Sequence, residues 1–129
     1  MRQHIAHISL IVDDYDKAIA FYTKKLDFTL QEDLKLDAHN RWVIVKPKSA
    51  QGTGILLVKA TTTSQKAVIG NQTGGAVFLF LYTDDFWRDY NSMKERGITF
   101  QEVPREEPYG TVVVFNDLYG NSWDLLEPK

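Results

Sequence analysis

A histidine at position 7, set in an alternating apolar segment, is the first residue of this chain able to bind a metal or move a proton. His4, three residues earlier, falls on the opposite face of any strand through that segment, so the two make no chelating pair. The third histidine, His39, lies in the polar turn Asp37-Ala38-His39-Asn40 and reads as a solvated turn residue. Two pairs of adjacent carboxylates, Asp13-Asp14 and Asp84-Asp85, have the composition of an acid–base couple. Each stands where an apolar run ends and a helical pattern begins, so capping of a first helical turn is the better reading. The sequence has no cysteine, which removes disulfides, thiolate nucleophiles and cysteine-ligated zinc, and fits a reducing, cytoplasmic setting. It contains no Ser-His-Asp order, P-loop or glycine-rich dinucleotide signature.

The elements that position these residues come in two copies. His7 to Tyr15 can be laid over Phe78 to Phe86 at a constant offset of 71 residues, each copy an apolar strand-like run closed by the Asp-Asp pair. A helix follows in each. Tyr15, Ala18, Ile19, Tyr22 and Leu26 form one face at the 3.6-residue period, and Phe86, Tyr90, Met93 and Gly97 fall in the same phases. Gly97 suits a left-handed helix terminator. Three strands are expected after each helix: Phe28 to Leu36, Arg41 to Lys46 and Gly54 to Lys59, then Thr99 to Val103, Thr111 to Asn116 and Ser122 to Leu126. Glycine-containing turns, Gly52-Thr53 and Leu118-Tyr119-Gly120-Asn121, join the last two strands of each set. The expected organisation is one α+β domain over residues 1–129. Its two βαβββ modules cover about 1–60 and 76–129, with a polar linker at about 61–75.

At 129 residues the chain is sized for one domain, and 43% apolar with 25% charged residues separates it from disordered sequences. A formal charge of −2 supplies no basic field for a phosphate backbone, so nucleic acid is not an expected partner. The longest apolar run, Ala76 to Tyr82, is far too short to span a membrane, and Met1-Arg2-Gln3-His4 leads straight into a strand pattern with no signal-like segment.

Two stretches carry a family resemblance. The opening, His7-Ile8-Ser9-Leu10-Ile11-Val12-Asp13-Asp14 followed by Ala18 to Phe28, resembles the start of vicinal-oxygen-chelate proteins, the glyoxalase, bleomycin-resistance and extradiol-dioxygenase superfamily. Phe115-Asn116-Asp117-Leu118-Tyr119-Gly120-Asn121-Ser122-Trp123-Asp124-Leu125 resembles that family's usual ending. The resemblance implies two βαβββ modules with sheets curled around a concave pocket, and a homodimer. In the family's metalloenzymes four side chains on first and last strands hold a divalent metal. Carried over, those positions fall on His7, Leu56, Phe78 and Asp124. A leucine and a phenylalanine offer no lone pair, so no metal and no other cofactor is expected.

Strand alternation then assigns a pocket face. With His7 inward, Ser9 and Ile11 follow; so do Phe78, Phe80 and Tyr82, Leu56 and Val58, and Ser122, Asp124 and Leu126. Trp42 and Tyr109 are added as contributors, and Arg105 to Gly110 is read as a charged loop at the pocket mouth. The expected ligand-binding set is therefore His7, Ser9, Trp42, Leu56, Phe78, Phe80, Tyr82, Tyr109, Ser122 and Asp124. Aromatic walls with one carboxylate suit a flat or cationic small molecule. Two other readings stand beside this one: a lyase, isomerase or dioxygenase with a non-standard metal site, and an assembly protein with a filled pocket.

Overall fold

The computed structural model describes residues 2–49 and 51–129 and divides into two compact units, Met1–Ile69 and Gly70–Lys129. The first unit runs β1 (His7–Val12), α1 (Tyr15–Ala20), β2 (Thr29–Lys35), β3 (Arg41–Lys46), β4 (Gly54–Lys59) and α2 (Thr63–Ala67). Its sheet has the order β1-β4-β3-β2, with β1 parallel to β4 and the other pairs antiparallel. Leu10, Val12, Val43, Val45, Ile55 and Leu57 point to the helix side and are buried with Tyr15, Ala18 and Tyr22. Each aliphatic side chain removed from water there contributes on the order of 1.5–3 kcal/mol.

The second unit repeats the plan with β5 (Leu79–Tyr82), α3 (Phe86–Glu95), β6 (Arg105–Glu107), β7 (Gly110–Asn116) and β8 (Ser122–Pro128). Its sheet order is β5-β8-β7-β6, again with the outer pair β5 and β8 parallel. Val113, Phe115, Trp123 and Leu125 form the helix-side core with Phe86 and Met93. The fold is thus α+β, two open four-stranded mixed sheets of matching topology. Asp14 and Asp85 are the helix N-caps, accepting from the backbone N–H groups of Lys17 and Arg88, so the Asp-Asp pairs do structural work.

Three local readings are corrected. After Ala20 the first helix widens into a π-helical turn, Phe21–Lys25, which buries Phe21 and adds one residue relative to α3. The left-handed terminator is consequently Asp27 (φ 60°), matching Gly97 (φ 85°) at an offset of 70 rather than 71. Thr99 to Val103 does not form a strand: only Phe100 bridges to Phe115, and the strand lies at Arg105–Glu107, in the expected loop. Glu102 takes the N–H of Val114 with its side chain (3.2 Å), and the next-but-one residue, Pro104, has no N–H to give, so regular pairing resumes only at Arg105. The expected linker contains α2, fixed by a reciprocal capping box between Thr62 and Gln65.

Candidate functional site

The face of the first sheet turned away from α1 carries His7, Ser9 and Ile11 on β1, Leu56 and Val58 on β4, and Trp42 and Ile44 on β3. His7 is exposed and lies edge-on to Trp42, ring centroids 5.9 Å apart. Gly54, beside His7 in register, leaves room for that ring: a Cβ there would stand 2.8 Å from Ile44 Cγ2 and 3.4 Å from His7 Nδ1. Ile44 is fully buried although it lies on this face, so its centre is packed hydrocarbon, with the polar groups on β1.

The corresponding face of the second sheet is more open. Phe80 and Tyr82, on the edge strand β5, are 60% and 65% exposed. Across the parallel ladder they stand beside Asp124 and Leu126 of β8. Ser122 Oγ accepts from Gln101 Nε2 at 2.7 Å, and the same amide donates to Asn116 Oδ1, which makes a polar end to the face. At the other end Arg105 Nε donates to both oxygens of Glu102 at 3.0 and 3.1 Å, and its Nη1 to Glu107 at 3.1 Å. Asp124 sits between these ends, only 8% exposed, and its Oδ1 has no hydrogen-bond partner among the described residues. Burial pushes its carboxyl above the ordinary aspartate range; Arg105 opposes that shift and Glu102 adds to it.

Phe78 departs from the expected wall. It precedes β5 by one residue, donates its N–H to the Ser122 carbonyl, and its half-buried ring packs edge-on against the core residue Trp123 at 6.1 Å. Tyr109 is exposed in the turn between β6 and β7. Arg105 and Glu107 belong to the segment expected as a charged loop at the pocket mouth, which is a strand instead, while Gln101 and Glu102 fall outside the expected site because their segment reads as a strand. The sequence does carry a signal for Arg105 and Glu107, the charged pattern Arg-Glu-Glu ahead of the Pro-Tyr-Gly turn. A separate cavity of ≈ 210 Å³ in the first unit contains none of the expected site residues. Its carboxylates are already used: Asp14 caps α1, Asp16 pairs with Arg41, and Asp37 holds the β2–β3 turn.

The sequence model of the Glyoxalase/Bleomycin resistance protein/Dioxygenase superfamily matches residues 4–125. The chain belongs to that superfamily. An uncharacterized protein of Shewanella frigidimarina is 56% identical over 128 residues, covering 98% of this chain and 95% of that one. Among solved structures, UcmS2 superposes with a TM-score of 0.84 at 29% identity, covering 98% of both chains. TnmS3, an antibiotic binding protein from a Streptomyces species, superposes at 0.79 with 31% identity, covering 99% of this chain and 98% of its own.

The superfamily's metal positions can be tested on the ladders of the two sheets. Ser9 pairs with Leu56 in the first and Phe80 with Asp124 in the second, so Leu56 and Asp124 occupy equivalent places. His7 is likewise matched by Phe78. Each unit therefore keeps one donor and has hydrocarbon at the other position, and among the described residues no group of three or more His, Asp or Glu is placed to hold a metal ion. Zinc and iron centres need at least three protein donors, so the residues present do not fit the group.

Proposed function

We propose that this superfamily member is a metal-independent small-molecule-binding protein whose ligand is flat or cationic. The observation that carries the reading is the second unit's face, where two exposed aromatic rings flank a buried carboxylate. Aromatic faces stack on planar ligands and attract cations, and neighbouring exposed rings on one sheet face form an apolar patch of the kind that marks binding sites. TnmS3, an antibiotic binding protein at 31% identity over nearly the whole chain, supports the same reading. On this proposal Phe80, Tyr82, Tyr109, Ser122 and Asp124 contact ligand on the second unit's face, which Phe78 supports through Trp123, and His7, Ser9, Trp42 and Leu56 line the matching candidate face of the first unit. We also infer a cytoplasmic homodimer, in which a second copy covers exposed sheet edges and apolar residues such as Leu34 on β2.

Fluorescence titration with proflavine, a flat cation, tests the proposal. The account expects saturable binding that EDTA leaves unchanged and that Phe80→Ala weakens by about tenfold or more. Binding that vanishes with EDTA and returns with zinc or iron would favour a metal-dependent lyase, isomerase or dioxygenase instead.

A further inference from the structure

We infer that Asp124 is the specificity anchor of the second unit's face, and that the ligand presents a hydrogen-bond donor, best a protonated amine, to its Oδ1 while its ring stacks on Phe80. The inference rests on the small-molecule reading above and names the chemistry that reading leaves open. Buried polar atoms in folded proteins are almost always hydrogen-bonded, and an orphan asks for a partner that the chain does not supply. Asp124 Oδ1 is such an orphan among the described residues.

The neighbours explain why the chain does not satisfy it. On β7 the opposite residue is Val114 and on β5 it is Phe80; the next inward residue along β8 is Leu126. None of these side chains can donate, and Ser122, the inward residue on the other side, accepts from Gln101 Nε2 and makes no hydrogen bond to Asp124 Oδ1. The one cation that acts on it, Arg105, is held by Glu102 and Glu107 instead, and Glu102 is itself fixed by the Val114 N–H. Turning Arg105 toward Asp124 would cost those charge-assisted bonds. The charges that act on Asp124 are the Arg105 guanidinium and the Glu102 carboxylate, which offset each other and leave the carboxylate of Asp124 itself in excess. That excess of negative charge selects a cationic donor and rejects an anion.

Asp117 is the contrasting case. Asp117 is equally buried on the turn between β7 and β8, yet it accepts from the N–H groups of Tyr119 and Asn121, from Asn121 Nδ2 and from Trp123 Nε1. The position of Asp124 also fixes the ligand's shape. Directly paired strand residues have Cβ atoms about 4.5–5.5 Å apart. A ring lying on Phe80 therefore places a donor two or three bonds from the ring over the carboxylate.

A matched pair of probes tests this in the full chain: tryptamine and indole-3-propionate share the ring and differ only in the charged group at the end of the side arm. Calorimetric titration is expected to show tryptamine bound at least about tenfold more tightly, as a charge-assisted bond to a buried carboxylate requires. Asp124→Asn should bring the two probes close to parity, and Phe80→Ala should weaken both alike. Independently of any variant, the side-chain carboxyl carbon resonance of Asp124 should move on adding tryptamine and stay put with the propionate. Equal affinities that Asp124→Asn does not alter, or a preference for the propionate, would overturn the anchor and leave small-molecule binding standing. Failure of both probes to bind would overturn the anchor together with the reading it rests on.

Discussion

Two buried aspartates on one hairpin, seven residues apart, meet opposite fates. Asp117 closes the turn between β7 and β8 and is surrounded by donors from its own loop and from Trp123. Asp124, in the middle of β8, has hydrocarbon neighbours and an oxygen with no partner among the described residues. The first is a carboxylate that builds the fold. The second is one that the fold tolerates, and a tolerated cost on an aromatic-flanked face is where function is to be sought.

The comparison predicts effects of opposite sign. Asp117→Ala strips Asn121 Nδ2 and Trp123 Nε1 of their acceptor inside the protein. It should lower unfolding free energy by about 3 kcal/mol in urea denaturation, since several buried donors lose their partner together. A loss below about 1 kcal/mol would mean that the turn holds without its carboxylate. Gly54→Ala should cost about 1–2 kcal/mol, because the new methyl group meets the buried Ile44. The same change should broaden or shift the His7 imidazole resonances, since that ring packs over Gly54.

Asp124→Asn is the smallest and runs the other way. Burial raises the Asp124 pKa, so ionising this carboxyl costs more in the folded chain than in the unfolded one. Its contribution is intact below the ordinary aspartate pKa and is lost as pH rises through the raised folded value. The amide does not titrate. The variant should therefore be more stable than wild type at neutral pH, with the gain shrinking to nothing as the solution is acidified below the ordinary aspartate range. Thermal melts across that range check the slope, and a variant less stable than wild type at neutral pH would contradict the account of Asp124 as an uncompensated burial.

Much of the architecture was legible because it is written twice. The Asp-Asp caps, the helix phases and Gly97 recur in order, and topology follows from the repeat even where single elements are ambiguous. What was hidden has physical causes. A π-helical turn adds a residue without a marker in composition, so Phe21 was left out of the buried face and the offset after it was misjudged. The segment at Thr99 has strand-like residues, but the Glu102 side chain takes a backbone donor and Pro104 offers none, which moves the strand to Arg105. On the candidate face, alternation placed Phe80, Tyr82 and Asp124 together. It could not show that the nearby Arg105 would be occupied elsewhere, because that depends on Glu102 and Glu107 reaching it from either side.

The equivalence of His7 with Phe78 and of Leu56 with Asp124 is the basis for reading this superfamily member as metal-independent. Elemental analysis of protein purified without chelator is the most direct test. A chain with one donor per unit should carry far less than one equivalent of zinc, nickel, iron or manganese, and its melting temperature should be the same with and without EDTA. One equivalent of metal, removed by EDTA with a drop in melting temperature and lost in His7→Ala and Asp124→Asn, would contradict the account.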